Sequence, residues 1–414
     1  MAVILISLAV LAFFLVAFED LIHINKAKSV LFIGTLSWIL VYIFPLNGLD
    51  TEHVSERLDE NLLEIATLWL FLMSAMTFVA YLNSQGLVSS LVQGMLPDRL
   101  HERTLMLMLG GFAFLFSSFA DNVTATLVSI AVISSIDVPA KKRLRYATLT
   151  IFAVNSGGVS LITGDVTTLM IFLDGKVTIL NLLLLVLPSF SAVALLAIML
   201  SVSLRGEVQL EKKKQRPSKV DWVIAAIFLV TIFSTLVLNI LFHIPPVLTF
   251  LFGLSVMFLV AQQLLKKHSG RSILNYIREI EFDTLLFFLG VLLIIGLLKE
   301  IGVLRQLTAL YELLPSSWAN YVLGMASALL DNVPLTAAVL KADIEMSSAE
   351  WLSLTYATGV GGSLLIIGSA AGIIAMSKVR EVTFISYLRM FFFLLIAYSF
   401  GYWFSYWIGH QFLP

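Results

Sequence analysis

The 414-residue sequence contains no cysteine. That excludes disulfides, thiolate metal sites and cysteine nucleophiles. Charge is scarce as well: Asp, Glu, Lys and Arg make up 13% of the chain, and the net charge is −1. So little charge supplies no basic face for nucleic acid. No Gly-rich phosphate loop ending in Lys-Ser or Lys-Thr occurs, which excludes a P-loop ATPase. The six histidines (His23, His53, His101, His243, His268, His410) are scattered through loops and span ends, and none pairs with another as a metal site requires. No nucleophile and base form a recognisable set, so the chain does not read as an enzyme and no cofactor is expected. The alternating pattern of an outer-membrane barrel is also missing.

What the chain has is apolar length. Hydrophobic residues make up 59%, and the mean hydropathy is +0.96. The apolar runs are about 20 residues long, enough to cross a bilayer as helix. The fold class expected is therefore an all-α polytopic membrane protein. Spans are expected over 2–18, 30–46, 62–82, 146–173, 179–204, 222–242, 246–265, 284–298, 351–376 and 382–408. The first of these has no basic n-region and no convincing cleavage site before Glu19-Asp20, so it reads as a span and not as a signal peptide. No Ser/Arg-rich transit segment precedes it, which favours a bacterial protein.

Cations fix an orientation. Lys141, Lys142, Arg143 and Arg145 crowd one loop. Arg205, Lys212, Lys213, Lys214, Arg216 and Lys219 crowd a second, and Lys266, Lys267, Arg271 and Arg278 a third. The positive-inside rule puts all three in the cytoplasm. The acidic loop expected at Asp50–Glu60 then falls outside.

One short pattern occurs twice. Asp121-Asn122-Val123-Thr124 is followed by Gly157-Gly158, five residues and Gly164; Asp331-Asn332-Val333-Pro334 is followed by Gly361-Gly362, five residues and Gly368. The apolar stretches flanking each Asp-Asn are too short to cross twice, so they read as re-entrant hairpins, the first entering from the cytoplasm and the second from outside. The glycines read as hinges where a membrane helix breaks and frees backbone for a ligand. Two inverted-topology repeats follow, with about ten crossings, two hairpins and two broken helices in all. Residues 1–204 form the first repeat, with its hairpin near 104–136 and its broken helix near 146–173. A cytoplasmic linker spans 205–220. Residues 221–414 form the second repeat, with its hairpin near 316–345 and its broken helix near 351–376.

A carboxylate at membrane depth is a functional hypothesis by default. Asp165 is the strongest, within Asn155-Ser156-Gly157-Gly158 and Thr163-Gly164-Asp165-Val166-Thr167-Thr168. The segment offers a carboxylate, hydroxyls, an amide and unwound carbonyls, the oxygen ligands a hard cation such as sodium takes. Asp165 also reads as a helix N-cap, and the two roles are compatible. Its counterpart in the second repeat is Ser369, with Ser363 nearby, so the repeats are unequal in charge. Asp121, Asn122, Asp331 and Asn332 stand at hairpin turns, a placement that turn chemistry alone explains in water; at membrane depth an ion-facing role is expected too. No Lys or Arg lies in the motif segments, and carboxylates without a cationic partner point to a cation site. Glu64 reads as a solvated or gating carboxylate opening the third span. Glu281 and Asp283 read as helix-start residues or members of a proton path.

These residues resemble the NhaD-type sodium/proton antiporters of the ion-transporter superfamily. The resemblance rests on Phe119-Ala120-Asp121-Asn122-Val123-Thr124, the two Asp165 segments above, the run Glu281-Phe282-Asp283-Thr284-Leu285-Leu286-Phe287-Phe288, then Ser327-Ala328-Leu329-Leu330-Asp331-Asn332-Val333-Pro334, and Gly361-Gly362-Ser363. It implies a multi-pass protein of the bacterial inner membrane that expels sodium or lithium in exchange for protons. It implies a homodimer in which a scaffold carries a moving group of hairpins and broken helices. It also implies roles for Glu64, Asn155, Asp165, Thr167, Thr168, Ser327, Asp331 and Asn332. Another carrier of that superfamily, for arsenite or an organic anion, is the alternative. Anion carriers of the superfamily place Ser-Asn-Thr at the hairpin tips; Asp-Asn here disfavours carboxylate substrates.

Overall fold

The computed structural model describes residues 1–17, 19–22, 24–44, 51–95, 97, 99–134, 136, 138–202, 204–209, 217–265, 275–278 and 280–413. His23, Asp50, Lys212, Lys213, Lys214, Arg216, Lys266, Lys267, His268 and Arg271 lie outside the described residues. The principal helices are α1 (Ala2–Ala17), α2 (Lys26–Ile43), α3 (Thr51–Ser84), α4 (Glu102–Phe119), α5 (Asn122–Ser134), α6 (Ala140–Gly158), α7 (Val166–Leu173), α8 (Val186–Ser201), α9 (Lys219–Phe242), α10 (Pro246–Leu265), α11 (Phe282–Glu300), α12 (Ser316–Ala326), α13 (Asn332–Lys341), α14 (Ser348–Gly361), α15 (Ala370–Lys378) and α16 (Phe391–Phe412).

Among the described residues, seven helices are long and apolar enough to cross a bilayer. With α1 and the broken pairs α6–α7 and α14–α15, the protein reaches the expected level of about ten crossings. The helix starts carry the expected side-chain caps. Asn25 accepts from the Lys28 amide to open α2, and Ser218 with Asp221 closes a capping box on α9.

Three expectations are corrected. Helix α3 begins at Thr51, so the acidic stretch expected as a loop is helical from there on, and Glu64 lies well inside the helix. The last span does not run on from 382: a short helix, Phe384–Leu388, is capped by Thr383 and separated from α16. The expected linker 205–220 is not wholly irregular either. Strand β1 (Arg99–His101) pairs antiparallel with strand β2 (Glu207–Gln209), with Leu100 opposite Val208.

The helices pack in two groups. Helix α2 lies along α11, while α3 packs on α9, α10 and α11. The backbones of α2 and α11 approach closely: a Cβ on Gly290 would meet Leu31 N at 2.4 Å, and one on Gly34 would meet Gly290 O at 2.8 Å. The Trp38 indole N–H donates to the Leu293 carbonyl across the same seam at 2.9 Å. In the second group α4 packs on α6 and α8, α12 on α14, and both α8 and α14 on α16. Such close, small-residue seams hold helices together where lipid supplies no hydrophobic drive.

The hairpins meet the broken helices the same way in both halves. A Cβ on Gly157 would stand 2.1 Å from Phe114 O, and one on Gly361 would stand 1.9 Å from Gly324 O. Gly361→Ala should therefore cost about 1–3 kcal/mol of stability and lower the melting temperature of the detergent-solubilised protein. Gly111→Ala, whose added Cβ meets nothing within 4 Å, should hold or raise it. Equal melting of the two variants would contradict this packing.

Candidate functional site

Helix α6 ends at Gly158, and α7 starts eight residues later, at Val166, with Asp165 as its N-cap. Helix α14 ends at Gly361, passes through two tight turns to Gly368, and resumes as α15 with Ser369 as N-cap. Both breaks sit deep in the protein, where unpaired backbone is costly. Side chains supply partners. The Thr167 amide donates to Asp165 Oδ1 at 3.2 Å, and the Gly372 amide to Ser369 Oγ at 3.4 Å.

The two halves are joined at these caps. Asn332 Nδ2, at the second hairpin tip, donates to Asp165 Oδ2 at 3.2 Å. Asn155 Nδ2, in the last turns of α6, donates to Ser369 Oγ at 3.0 Å. Asn122 Nδ2, at the first tip, reaches Asn155 Oδ1 at 3.5 Å, while its own Oδ1 accepts from Ser117 Oγ at 2.8 Å. Glycine is required beneath this network: a Cβ on Gly158 would lie 2.7 Å from Asn122 Oδ1, and one on Gly164 would lie 2.5 Å from Ser117 O.

Asp165 is 6% exposed. One of its oxygens faces a helix N-terminus and the other an amide, and among the described residues no cationic side chain pairs with either. In the segments that flank it in sequence, the hydroxyls of Ser156, Thr167 and Thr168 are buried and have no hydrogen-bond partner among the described residues. Orphaned buried hydroxyls call for an explanation. They fit a small hard cation, which takes neutral oxygens together with a carboxylate. Among the described residues no three His, Cys, Asp or Glu side chains cluster as a transition-metal site would need.

A cavity of about 270 Å³ leads to Asp165 and Ser369. Its lining includes six carboxylates, of Glu19, Asp121, Asp165, Glu281, Asp283 and Asp331. Asp121 accepts from the Thr124 amide and hydroxyl, both at 2.9 Å, and Asp331 accepts from the Val333 amide at 3.3 Å; each tip aspartate thus also starts its helix. The helix-start position of α11 is held by Glu281, which accepts from the Thr284 hydroxyl at 3.2 Å. Asp283 instead accepts from Asn25 Nδ2 at 2.9 Å, so it ties α11 to the start of α2 and is not the cap.

The expectation of carboxylates without cationic partners is corrected. Lys26 Nζ, from α2, stands 3.3 Å from Asp331 Oδ2 and 4.7 Å from the centre of the Phe287 ring. Within the second hairpin, Lys341 pairs with Glu64 at 2.5 Å and also reaches Asn61 Oδ1 at 3.3 Å. Glu64 therefore lies apart from Asp165, in a second cavity of about 540 Å³ whose lining includes Asp174, Lys176, Lys299, Lys341 and Asp343. The two cavities take opposite ends of α11: Thr284 and Phe287 line the first, Leu292 and Lys299 the second.

Three predicted residues brace the breaks and do not line either cavity. Thr163 Oγ1 donates to Ser118 O at 2.8 Å. Ser327 Oγ lies 2.9 Å from both Gly324 O and Thr358 O. Ser363 Oγ donates to Val360 O at 2.6 Å, and its carbonyl accepts from the buried Tyr387 hydroxyl. Gly362 and Gly368 let these turns close, since a Cβ on either would meet the other's carbonyl oxygen at 2.6 Å. Lys26 carried no motif signal. Its only sequence sign was its place in the short polar stretch between the first two spans.

Two hairpins and two broken helices around a buried carboxylate, in a multi-pass helical bundle, define a membrane transporter. A family model described as "Citrate transporter" matches residues 1–361. The chain is 33% identical to the Na(+)/H(+) antiporter NhaD of Vibrio cholerae, over 94% of this chain and 88% of that protein. It is 32% identical to NhaD of Alkalimonas amylolytica, over 93% and 86%. The YdaH transporter of Alcanivorax borkumensis, a solved structure, superposes with a TM-score of 0.56 at 10% identity, covering 94% of this chain and all of that one, which bears on the fold alone. The chain belongs to the citrate-transporter family and, within it, to the NhaD-type antiporters.

Because the native chain lacks cysteine, single cysteines test the two cavities without background. Thr284→Cys and Lys299→Cys should react with a membrane-impermeant maleimide from opposite faces of sealed vesicles. Labelling of both from one face would contradict this reading of α11.

Proposed function

We propose that this chain exchanges sodium or lithium ions for protons across a bacterial inner membrane. Access to a site centred on Asp165 alternates between the two faces. The observation that carries the reading is Asp165 itself: 6% exposed, at the meeting of two broken helices, bonded by an amide and a helix N-terminus, in a chain segment whose buried hydroxyls lack partners among the described residues. A bare carboxylate is costly away from water. A proton or a cation relieves that cost, and the two compete for the same oxygens. Competition produces exchange, provided that the uncompensated site crosses poorly.

The coordination set is Asp165 with oxygens from Asn155, Ser156, Thr167 and Thr168, assisted from the hairpin tips by Asp121, Asn122, Asp331 and Asn332 and from the second break by Ser369. The relatives named Na(+)/H(+) antiporter support sodium as the substrate. The halves are inverted repeats; the charge-derived orientation turns the cavity at Asp165 toward the cytoplasm and the Glu64 cavity outward. The group α4–α8 with α12–α16 moves against a scaffold of α1–α3 and α9–α11. Two copies pair through that scaffold at α2 and α10. Glu64 serves as an outer gate, and Glu281 with Asp283 as a proton path. An organic-anion substrate, which the family model's name raises, meets six carboxylates in the cavity and is disfavoured by them.

Asp165→Asn keeps the shape and removes both charge and proton. In proteoliposomes this variant should lose sodium-driven dissipation of an imposed pH gradient while retaining its fold, whereas Asp165→Glu should keep part of the activity with an altered sodium affinity. Sodium and lithium should dissipate the gradient in the native protein, and choline should not. Full exchange by Asp165→Asn would overturn the site, and proton-coupled uptake of an organic anion would replace the substrate.

Glu281 stands just outside the α11 span. Burial, then nearby Asp121, raises its carboxyl to about 7. It is neutral below that pH and negative above, so its attraction for sodium grows as pH rises through neutrality. Glu281→Gln should flatten the fall in apparent KM for sodium over that interval. An unchanged pH profile would remove Glu281 from the path.

A further inference from the structure

We propose that Lys26 is a tethered counter-cation of the ion site, which sits on Asp331 when sodium is absent and is displaced when sodium binds. This rests on the cation-exchange reading above. Among the described residues lining the cavity, Lys26 supplies the one positive side chain against six carboxylates. Its ammonium lies 3.3 Å from Asp331 Oδ2, with the two side chains 21% and 15% exposed. The next residue, Asn332, holds Asp165. Lysine and ion site are therefore one residue apart along the hairpin tip. Any cation arriving at Asp165 meets the field of that ammonium.

The lysine is fixed at its base by backbone contacts and held at its tip by one ion pair and one ring face. Its amide donates to Glu19 Oε1 at 3.0 Å, and neighbouring Asn25 is held by Asp283 at 2.9 Å. The four-carbon stem carries a compact charge that moves without a fixed fork geometry. The Phe287 ring, 4.7 Å away, offers a second resting place for the ammonium. Helix α2 and Phe287 of α11 pack together; Asp331 starts α13, the second hairpin helix, which packs on both α11 and α7. The ion pair therefore ties α2 to the hairpin tip at the cavity, and its release and return are tied to cation occupancy.

Such a lysine weakens cation binding and speeds cation release. Native protein, Lys26→Gln and Lys26→Arg should be compared in proteoliposomes by sodium-driven dissipation of a pH gradient. Lys26→Gln should lower the apparent KM for sodium about tenfold and also lower the maximal rate; Lys26→Arg should return KM toward the native value. A KM that is unchanged or raised in Lys26→Gln, with the native protein active, would overturn the role of Lys26 alone. Absence of sodium-driven exchange in the native protein would instead overturn the cation-exchange reading, and this inference with it. A measurement on the native protein needs no variant to fold. Modification of Lys26 by a small amine-reactive acetylating reagent, read by mass spectrometry, should rise with sodium and not with choline at equal ionic strength. Modification indifferent to sodium would overturn the proposal.

Discussion

A helix that stops partway through a bilayer leaves amides at one end and carbonyls at the other without intrahelical partners. Hydrocarbon offers none, so each must be matched by protein. Here that constraint governs the interior. Asp165 and Ser369 cap the restarted helices. Ser118 Oγ donates to the Gly157 carbonyl at 3.0 Å, and Ser327 Oγ reaches the Thr358 carbonyl at 2.9 Å, so each first hairpin helix serves the end of its own broken helix. Glycines at 157 and 361 are needed because the backbones touch there. The second hairpin helices then cross over: α5 packs on α15, and α13 on α7. Neither break is complete without the other half of the chain.

The same arrangement makes the site. The residues that satisfy the breaks, Asp165, Asn155, Asn332 and Ser369, are also the ones that join the halves. On the proposed reading their remaining oxygens, with unpartnered hydroxyls of the same segments, would receive a small cation. Structure and binding then share atoms, and a change of occupant at Asp165 would act directly on its bond to Asn332, between the second hairpin tip and the first broken helix.

What could be read from sequence was local. Asp121-Asn122, Asp331-Asn332 and the spaced glycines encode turns and breaks through near-neighbour chemistry, and the helices on either side of each Asp-Asn and of each glycine break end and restart at those residues. Asp165 as an N-cap followed from its place after Gly164. What could not be read depended on distance along the chain. Lys26 meets Asp331 across 305 positions, and Lys341 meets Glu64 across 277. The short sheet pairs Arg99–His101 with Glu207–Gln209, segments too brief and polar to show a strand pattern. The family resemblance implies a role for Ser327, and a place beside the hinge glycines suggests one for Ser363; in the folded chain their hydroxyls bond backbone carbonyls.

The account turns on sodium and a proton sharing the oxygens of Asp165. Titration calorimetry of the purified native protein with sodium, repeated in buffers of different ionisation heat, counts protons released per ion bound. The account predicts that sodium binding releases protons, and that the release shrinks as rising pH leaves the site already deprotonated. Sodium binding without proton release at any pH would contradict it.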